Sequence, residues 1–154
     1  MVALARAGVP YTLHPYAHRD GETHFGDEAA AALGVGSARL FKTLVAEAAG
    51  ELVTAVVPVA HSLDLKALAA AVGAKRAALA EPAVAARSTG YVLGGISPLG
   101  QRAALRTVLD SSATGWPTVY VSAGRRGLQV ELAPADLVRL TTAVLAPVAA
   151  PPTR

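Results

Sequence analysis

The segment from Thr89 to Arg102 carries the residues whose types and spacing indicate chemistry most directly. Its fourteen residues include a serine, a proline and four glycines, which are Gly90, Gly94, Gly95 and Gly100. Because glycine loses more conformational entropy on ordering than any other residue, so many glycines favour positive φ angles or close approach of another molecule. Pro98 fixes its own φ, lacks an N–H group and favours an extended Ser97, so we expect a stiff loop. Exposed N–H groups on a stiff loop could bind an anion or a carbonyl oxygen; the alternative is an ordinary glycine-rich connection between strands.

Two side chains could act beside such a loop. Lys42 lies between Phe41 and Thr43 in an otherwise apolar run. Its ammonium either extends to the surface or points into a pocket, where it would be a fixed cation for a phosphate or a carbonyl oxygen. Ser97 could be a covalent nucleophile only if an adjacent base activated it, and the sequence designates no such base.

The other candidates are histidines and arginines in loops. His14, His18 and His24 lie close together in the sequence, but no histidine or acidic pair has the spacing of a familiar helical metal site. We therefore expect hydrogen-bonded or solvated histidines, and no metal or other cofactor. Arg125 and Arg126 stand between glycines, either as solvated charges of a hairpin or as forks for a phosphate or carboxylate.

Composition narrows the class of protein. A length of 154 residues suits about one domain with a real core. The absence of cysteine excludes disulfides, thiolate metal sites and a cysteine nucleophile, and the net charge of +3 is compatible with a phosphate-bearing partner. Charged residues interrupt the apolar runs before they reach the span of a membrane helix, and the first residues do not resemble a secretory signal. We expect a cytoplasmic protein without a membrane partner.

Apolar spacing and turn residues predict a mixture of short helices and strands. The predicted helices are Met1–Gly8, Gly26–Leu33, Ser62–Ala71, Pro82–Arg87 and Asp136–Leu145. The predicted strands are Val9–Tyr16, Leu40–Glu47, Leu52–Val59, Arg106–Asp110, Thr118–Ser122 and one ending near Leu132. This mixture predicts the mixed α/β (α+β) class, with one compact domain over residues 2–146 around a curved mixed sheet. The proline- and alanine-rich tail, residues 147–154, is expected to fray.

Five phrases, in order along nearly the whole chain, resemble the YbaK/EbsC branch of the bacterial prolyl-tRNA-synthetase-associated editing domains. They are Phe25–Glu28, Phe41–Leu44, Leu63–Lys66, Thr89–Gln101 and Tyr120–Gln129. The resemblance implies a barrel-like mixed sheet flanked by helices. It also implies a trans-acting deacylase for the 3′ acceptor end of mischarged aminoacyl-tRNA, and it suggests prolyl-tRNA synthetase as a partner.

The resemblance also implies a set of site residues. Catalytic roles fall to Lys42, Gly94, Gly95 and Ser97. Substrate-binding roles fall to Tyr16, Phe25, Ile96, Pro98, Gly124, Arg125 and Gln129. Some relatives carry aspartate at the position of Gln129, so recognition of a substrate amino group there would rely on an amide oxygen.

A mechanism follows from the same resemblance. In a YbaK-like reaction the thiol of a bound cysteine attacks its own carbonyl and leaves as a cyclic thioester, so the substrate supplies the nucleophile. Our hypothesis is that amides near Gly94 and Gly95 hold the carbonyl oxygen and Lys42 anchors the terminal phosphate or ribose. Ser97 would help to shape the aminoacyl end of the pocket or bond to the acyl group. Cysteine on the proline tRNA is the expected substrate. The alternatives are a deacylase for alanine or serine, and a non-catalytic module that binds the tRNA 3′ end or an aminoacyl group.

Overall fold

The computed structural model describes residues 2–151. Its helices are α1 (Val2–Ala7), α2 (Phe25–Leu33), α3 (Leu65–Ala71), α4 (Pro82–Thr89) and α5 (Pro134–Thr141), with a 3-10 helix at Ser111–Gly115. Its strands are β1 (Thr12–Pro15), β2 (Phe41–Ala48), β3 (Glu51–Pro58), β4 (Ser62–Leu63), β5 (Ala77–Leu79), β6 (Arg106–Asp110), β7 (Val119–Arg125), β8 (Leu128–Leu132), β9 (Val144–Ala146) and β10 (Ala149–Ala150). No helix within residues 2–151 is long and apolar enough to cross a membrane.

A mixed five-stranded sheet, in the order β5-β2-β3-β6-β9, forms the centre of the fold. Strands β2 and β3 form the predicted antiparallel hairpin, whereas β6 lies parallel to β3 and β9 parallel to β6. Ala49 and Gly50 connect the hairpin with φ angles of 52° and 79°. Two positive φ angles match the right-handed twist of the flanking strands, which is why this turn closes a two-residue hairpin.

A second sheet of three antiparallel strands, in the order β1-β8-β7, curves against the first. The two sheets meet where Leu40 forms a parallel bridge with Tyr120, whose N–H donates to the carbonyl of Arg39 at 3.2 Å. This junction places β7 and β8 beside the first residues of β2. The predicted mixed α/β class with a barrel-like curved sheet is confirmed.

Both faces of the five-stranded sheet are buried. On one face, Ala55 and Val57 of β3 pack with Leu68 of α3. On the other face, Val56 packs with Val121 and the three-stranded sheet. Successive strand residues point to opposite faces, so a nearly continuous apolar run along β3 supplies both cores. These cores hold β2 and β3 rigidly under the site described below.

Helix α2 begins at Phe25, which lines the site described below. Buried Glu28, in its first turn, accepts hydrogen bonds from the Arg19 N–H at 2.9 Å and from the His18 ring at 2.6 Å. These two interactions, the Arg19 N–H first, lower the pKa of the Glu28 carboxyl below its usual value. The carboxylate therefore fastens the loop between β1 and α2 to the helix and fixes Phe25.

The C-terminal region differs from the prediction in two ways. Helix α5 ends at Thr141, because Thr142 adopts a left-handed φ of 54°, and Val144–Ala146 pair with β6 instead of continuing the helix to Leu145. The expected fraying is wrong for residues 147–150. Val148 is fully buried and donates its N–H to Asp110 at 2.9 Å, while Ala149 and Ala150 pair with β4. Pro151 is exposed and belongs to no helix or strand, and residues 152–154 of the predicted tail lie outside the described residues.

Candidate active site

Four segments enclose a cavity of about 290 Å³. They are the start of α2, the start of β2, the glycine loop and the β7–β8 ribbon. Of the predicted site residues, five line this cavity: Phe25, Lys42, Gly94, Ile96 and Gln129. The junction between the two sheets and the buried face of β2 bring together segments that are more than a hundred residues apart in the chain.

Lys42 supplies the positive charge of the cavity wall. Its side chain is half-buried, and within residues 2–151 it forms no ion pair and no side-chain hydrogen bond. Burial lowers the pKa of Lys42 below its usual value, and the negative charge of Asp27, which also lines the cavity, opposes part of that shift. A partly desolvated ammonium without a carboxylate partner suits an anion that arrives with a ligand.

Two buried oxygen atoms in the cavity wall have no hydrogen-bond partner within residues 2–151. They are Oγ1 of Thr43 and Oε1 of Gln129, on residues that are only 9% and 5% exposed. Leaving a buried polar atom unpaired costs about 1–3 kcal/mol, so such atoms are uncommon in native proteins. Both residues line the same cavity, so a rotation of either side chain toward it would let a polar ligand satisfy the oxygen.

Ser122 adds a third polar group, on β7 opposite Gln129 of β8. Its Oγ accepts a hydrogen bond from the Gly124 N–H at 3.2 Å. The hydroxyl proton of Ser122 therefore stays free to be donated to a ligand. Thr43, Gln129 and Ser122 are therefore three uncharged polar residues in the cavity lining.

The glycine loop contributes backbone to the wall, but not in the arrangement that we expected. The Gly95 N–H donates to the carbonyl of Val92 at 2.9 Å, so it is not free to bind a substrate oxygen. A Cβ at Gly95 would meet backbone atoms of Arg125 and Arg126 at 2.9–3.1 Å, which places this residue against the hairpin and outside the cavity lining. The N–H groups of Gly94 and Ile96, both at the cavity, make no hydrogen bond within residues 2–151.

Ser97 and Pro98 lie behind the cavity wall. Ser97 is fully buried, and its Oγ accepts a hydrogen bond from the Leu99 N–H at 3.1 Å. Its carbonyl accepts another from the Gln101 side chain at 3.0 Å. The structure therefore gives Ser97 the local role of holding the loop in shape, because its hydroxyl does not reach the cavity.

Tyr16, Gly124 and Arg125 form an outer layer that supports the cavity without lining it. The Tyr16 N–H donates to the Gly127 carbonyl at 2.9 Å, which fixes the end of β1 to the β7–β8 turn. Gly124, with φ of 112°, leaves room for the Tyr91 ring, which a Cβ would meet at 2.9 Å. Arg125 is exposed.

His14, on β1, and His18 and His24, in the loop that follows it, each pair with a glutamate. His14 contacts Glu131 at 2.8 Å, His18 contacts Glu28 at 2.6 Å, and His24 contacts Glu22 at 3.3 Å. In the part of the chain that the structure describes, no group of three or more His, Asp or Glu side chains could hold a metal ion. Of these histidines, His24 lines the cavity.

Comparison with known families identifies the kind of domain that contains this cavity. A model of the aminoacyl-tRNA editing domain matches residues 20–140, which include every segment of the cavity wall. The chain belongs to this family. A curated relative from Enterococcus faecalis, named as a Cys-tRNA(Pro)/Cys-tRNA(Cys) deacylase, EbsC, is 40% identical over 136 residues, covering 86% of this chain and 81% of the relative.

Solved structures of similar proteins share the fold of this editing domain. A protein described as a trans-editing enzyme for prolyl-tRNA synthetase has a TM-score of 0.85 and 26% identity, with 97% of this chain and 93% of that one covered. The hypothetical protein APE2540 has a TM-score of 0.84 and 29% identity, with 96% of each chain covered. The resemblance to the YbaK/EbsC branch is confirmed.

Sequence reasoning missed two polar residues of this editing domain, Thr43 and Ser122. Each lies inside a phrase that carried the resemblance, and each interrupts an apolar strand. A buried hydroxyl in such a strand must find a partner, so this interruption was the available signal. That both residues line one cavity, with Ser122 opposite Gln129, became known only from the structure.

Proposed function

We propose that this editing domain acts in trans as a deacylase that removes cysteine from Cys-tRNA(Pro). The observation that carries the proposal is the pair of unpartnered buried oxygens, on Thr43 and Gln129, in the cavity that Lys42 also lines. An aminoacyl-tRNA brings polar groups of the aminoacyl ester for the oxygens of Thr43 and Gln129, and a phosphodiester for the ammonium of Lys42. The family and the printed activity of the Enterococcus relative support the same substrate class.

The acyl group enters the cavity with its carbonyl oxygen toward the free N–H groups of Gly94 and Ile96. Fixed backbone donors stabilise the negative charge that develops on this oxygen when the carbonyl is attacked. The Ser122 hydroxyl, whose proton is free, is a further donor in the cavity lining. Gly94 and Ile96 replace the Gly94 and Gly95 pair of our first hypothesis, because the Gly95 N–H is already bonded.

The substrate supplies its own nucleophile. The cysteine sulfur forms a bond to its own carbonyl carbon, and the bond from that carbon to the ribose oxygen breaks. The thiol proton ends on the ribose hydroxyl, which leaves free tRNA and a cyclic thioester. The protein contributes position and electrostatic stabilisation, which agrees with a chain that contains no cysteine and whose Ser97 is buried away from the cavity.

Lys42 binds the phosphate or ribose of the terminal nucleotide. Lys42 is the second residue of β2, a strand of the buried sheet. Its ammonium has no competing carboxylate within ion-pair distance among residues 2–151. A charge-assisted hydrogen bond from such a group contributes about 1.5–3 kcal/mol. Binding of the phosphate also offsets the cost of keeping the charge half-buried.

Single-turnover deacylation of tRNA(Pro) carrying cysteine or serine tests this mechanism, because the two substrates differ only in the nucleophilic atom. We expect rapid loss of cysteine and a rate on serine that is lower by about 100-fold, as is typical when a reacting group is misplaced or too weak. Spontaneous hydrolysis of each ester is measured without protein and subtracted. Equal rates on the two substrates would contradict attack by the substrate thiol.

Selection of the proline tRNA requires a partner, which we propose to be prolyl-tRNA synthetase. Contacts from the exposed arginines to phosphates carry no sequence information, so the cavity alone accepts the 3′ end of any tRNA. We expect the synthetase to raise the rate on Cys-tRNA(Pro) but not on Cys-tRNA(Cys). An equal effect of the synthetase on both tRNAs, or no effect, would contradict this partnership.

A further inference from the structure

Arg126 lies at the rim of the cavity, in the turn between β7 and β8. Its guanidinium carbon is 4.6 Å from the centroid of the Phe25 ring, and its Nε donates to the carbonyl of Leu93 at 2.8 Å. Phe25 and Leu93 both line the cavity. The planar group is therefore held in a fixed orientation where two walls of the cavity end.

The guanidinium of Arg126 has no acidic partner. Within residues 2–151 it forms no ion pair, whereas Arg39 pairs with Glu131 at 3.5 Å and Arg19 pairs with Glu22 at 3.4 Å. Arg126 is exposed, so the side of its plane that faces away from the Phe25 ring is accessible. An exposed planar cation fixed on an aromatic ring is a surface on which a nucleic-acid base can stack.

The neighbouring loop makes this rim apolar. Val92 and Leu93 are 58% and 53% exposed, although both are large hydrophobic residues. Leu93 contacts Arg126 through its carbonyl and also lines the cavity. A flat ligand that covers Arg126 would therefore bury apolar surface as well.

The chemistry of the substrate indicates what this surface binds. In an aminoacyl-tRNA the ester and the terminal adenine are attached to the same ribose, so an acyl group in the cavity places the adenine at its rim. We propose that the terminal adenine of the substrate stacks on the outer face of the Arg126 guanidinium, beside Leu93. This inference rests on the proposed deacylase function and adds a base-binding site to the acyl cavity. It differs from simple phosphate binding, because stacking needs the plane of arginine and phosphate binding needs only the charge.

The proposal is tested by measuring deacylation of two substrates by each of three proteins. The substrates are tRNA(Pro) molecules made by ligation of a chemically cysteinylated terminal dinucleotide, ending either in adenosine or in an abasic ribose. The proteins are the wild type, Arg126→Lys, which keeps the charge and loses the plane, and Arg139→Lys as the matched control. Arg139 is an exposed arginine on α5 that contacts Asp136 and does not line the cavity.

We expect the wild type to deacylate the adenosine-ended tRNA with a kcat/KM about 10- to 100-fold above that for the abasic one, the usual effect of one stacked base. Arg126→Lys should bring this ratio close to one by slowing only the adenosine-ended substrate, and Arg139→Lys should leave it unchanged. As a check without catalysis, uncharged tRNA ending in 2-aminopurine should lose fluorescence on binding the wild type and not Arg126→Lys.

Three results would overturn the proposal. The first is a wild-type ratio close to one, and the second is an unchanged ratio in Arg126→Lys. The third is an equal loss of rate on both substrates, which would make Arg126 a positioning residue that acts through Leu93 and Phe25. Failure of the wild type to deacylate the adenosine-ended tRNA would instead contradict the deacylase function itself.

Discussion

The two hairpin turns of this protein differ in what packs against them. In the β2–β3 turn, a Cβ at Gly50 would meet nothing within 4 Å, so its glycine serves only the positive φ of 79°. In the β7–β8 turn, the backbone of Arg125 and Arg126 lies so close to Gly95 that a Cβ there would meet it at 2.9–3.1 Å. The first turn faces solvent, and the second is a packing surface for the glycine loop.

This difference separates glycines that serve backbone geometry from glycines that serve close approach. Gly94 belongs to both groups, since its φ is 82° and a Cβ would meet the Phe25 ring at 2.6 Å. Gly95 has no positive φ and is required only because another backbone occupies the space of its side chain. The cavity wall is thus positioned by backbone contact with the β7–β8 turn.

Gly95→Ala should have the largest effect on this contact. The added methyl group meets backbone atoms that cannot rotate away, so the loop must move by several tenths of an ångström or more. We expect a loss of about 1–3 kcal/mol in the free energy of unfolding, as for other overpacked sites. The single-turnover rate on Cys-tRNA(Pro) should fall by about 100-fold, because Gly94 and Ile96 move with the loop.

Gly36→Ala is the matched control for this substitution. A Cβ at Gly36 would meet nothing within 4 Å, and its φ is not positive. Its free energy of unfolding should change by less than about 1 kcal/mol, and its deacylation rate should stay at the wild-type value. Wild-type rate and stability in Gly95→Ala would show that the loop does not depend on the hairpin.

The smallest effect is expected at the other turn. Ala49 has a φ of 52°, which alanine adopts at a cost and asparagine tolerates well. Ala49→Asn should therefore raise the free energy of unfolding by up to about 1 kcal/mol in denaturant titrations, without a change in deacylation rate. A loss of activity in this variant would contradict the view that the β2–β3 turn serves the fold alone.

Helix ends that are set by local residues could be predicted from the sequence. Gly34 ends α2 in the left-handed conformation, as its residue type indicated. The helix predicted from Ser62 begins three residues later, because Ser62 and Leu63 form β4 and Asp64 caps α3 by accepting from the Ala67 N–H. The final helix was predicted too long because Val144 and Leu145 continue its apolar spacing. Their pairing with β6 depends on a sheet that local spacing does not describe.

Nearly all candidate site residues that could be named from the sequence lie in the phrases that resemble the family. Lys42, Gly94 and Gln129 line the cavity, whereas Gly95 and Ser97 do not. Adjacent residues of one loop can face opposite ways, and only the packed structure shows which amide is bonded and which is free. The roles of Gly95 and Ser97 depend on backbone contacts that residue types do not encode.

The central claim is that the cavity deacylates tRNA with help from the unpaired Lys42 ammonium, and Lys42→Met tests it most directly. The substitution keeps the length of the side chain and removes the charge, while Lys66→Met removes an exposed lysine on α3 as the control. We expect Lys42→Met to lower the single-turnover rate on Cys-tRNA(Pro) by about 10- to 150-fold, the equivalent of about 1.5–3 kcal/mol. Its melting temperature should equal or exceed that of the wild type, because a half-buried charge has been removed. A wild-type rate in Lys42→Met would contradict this account.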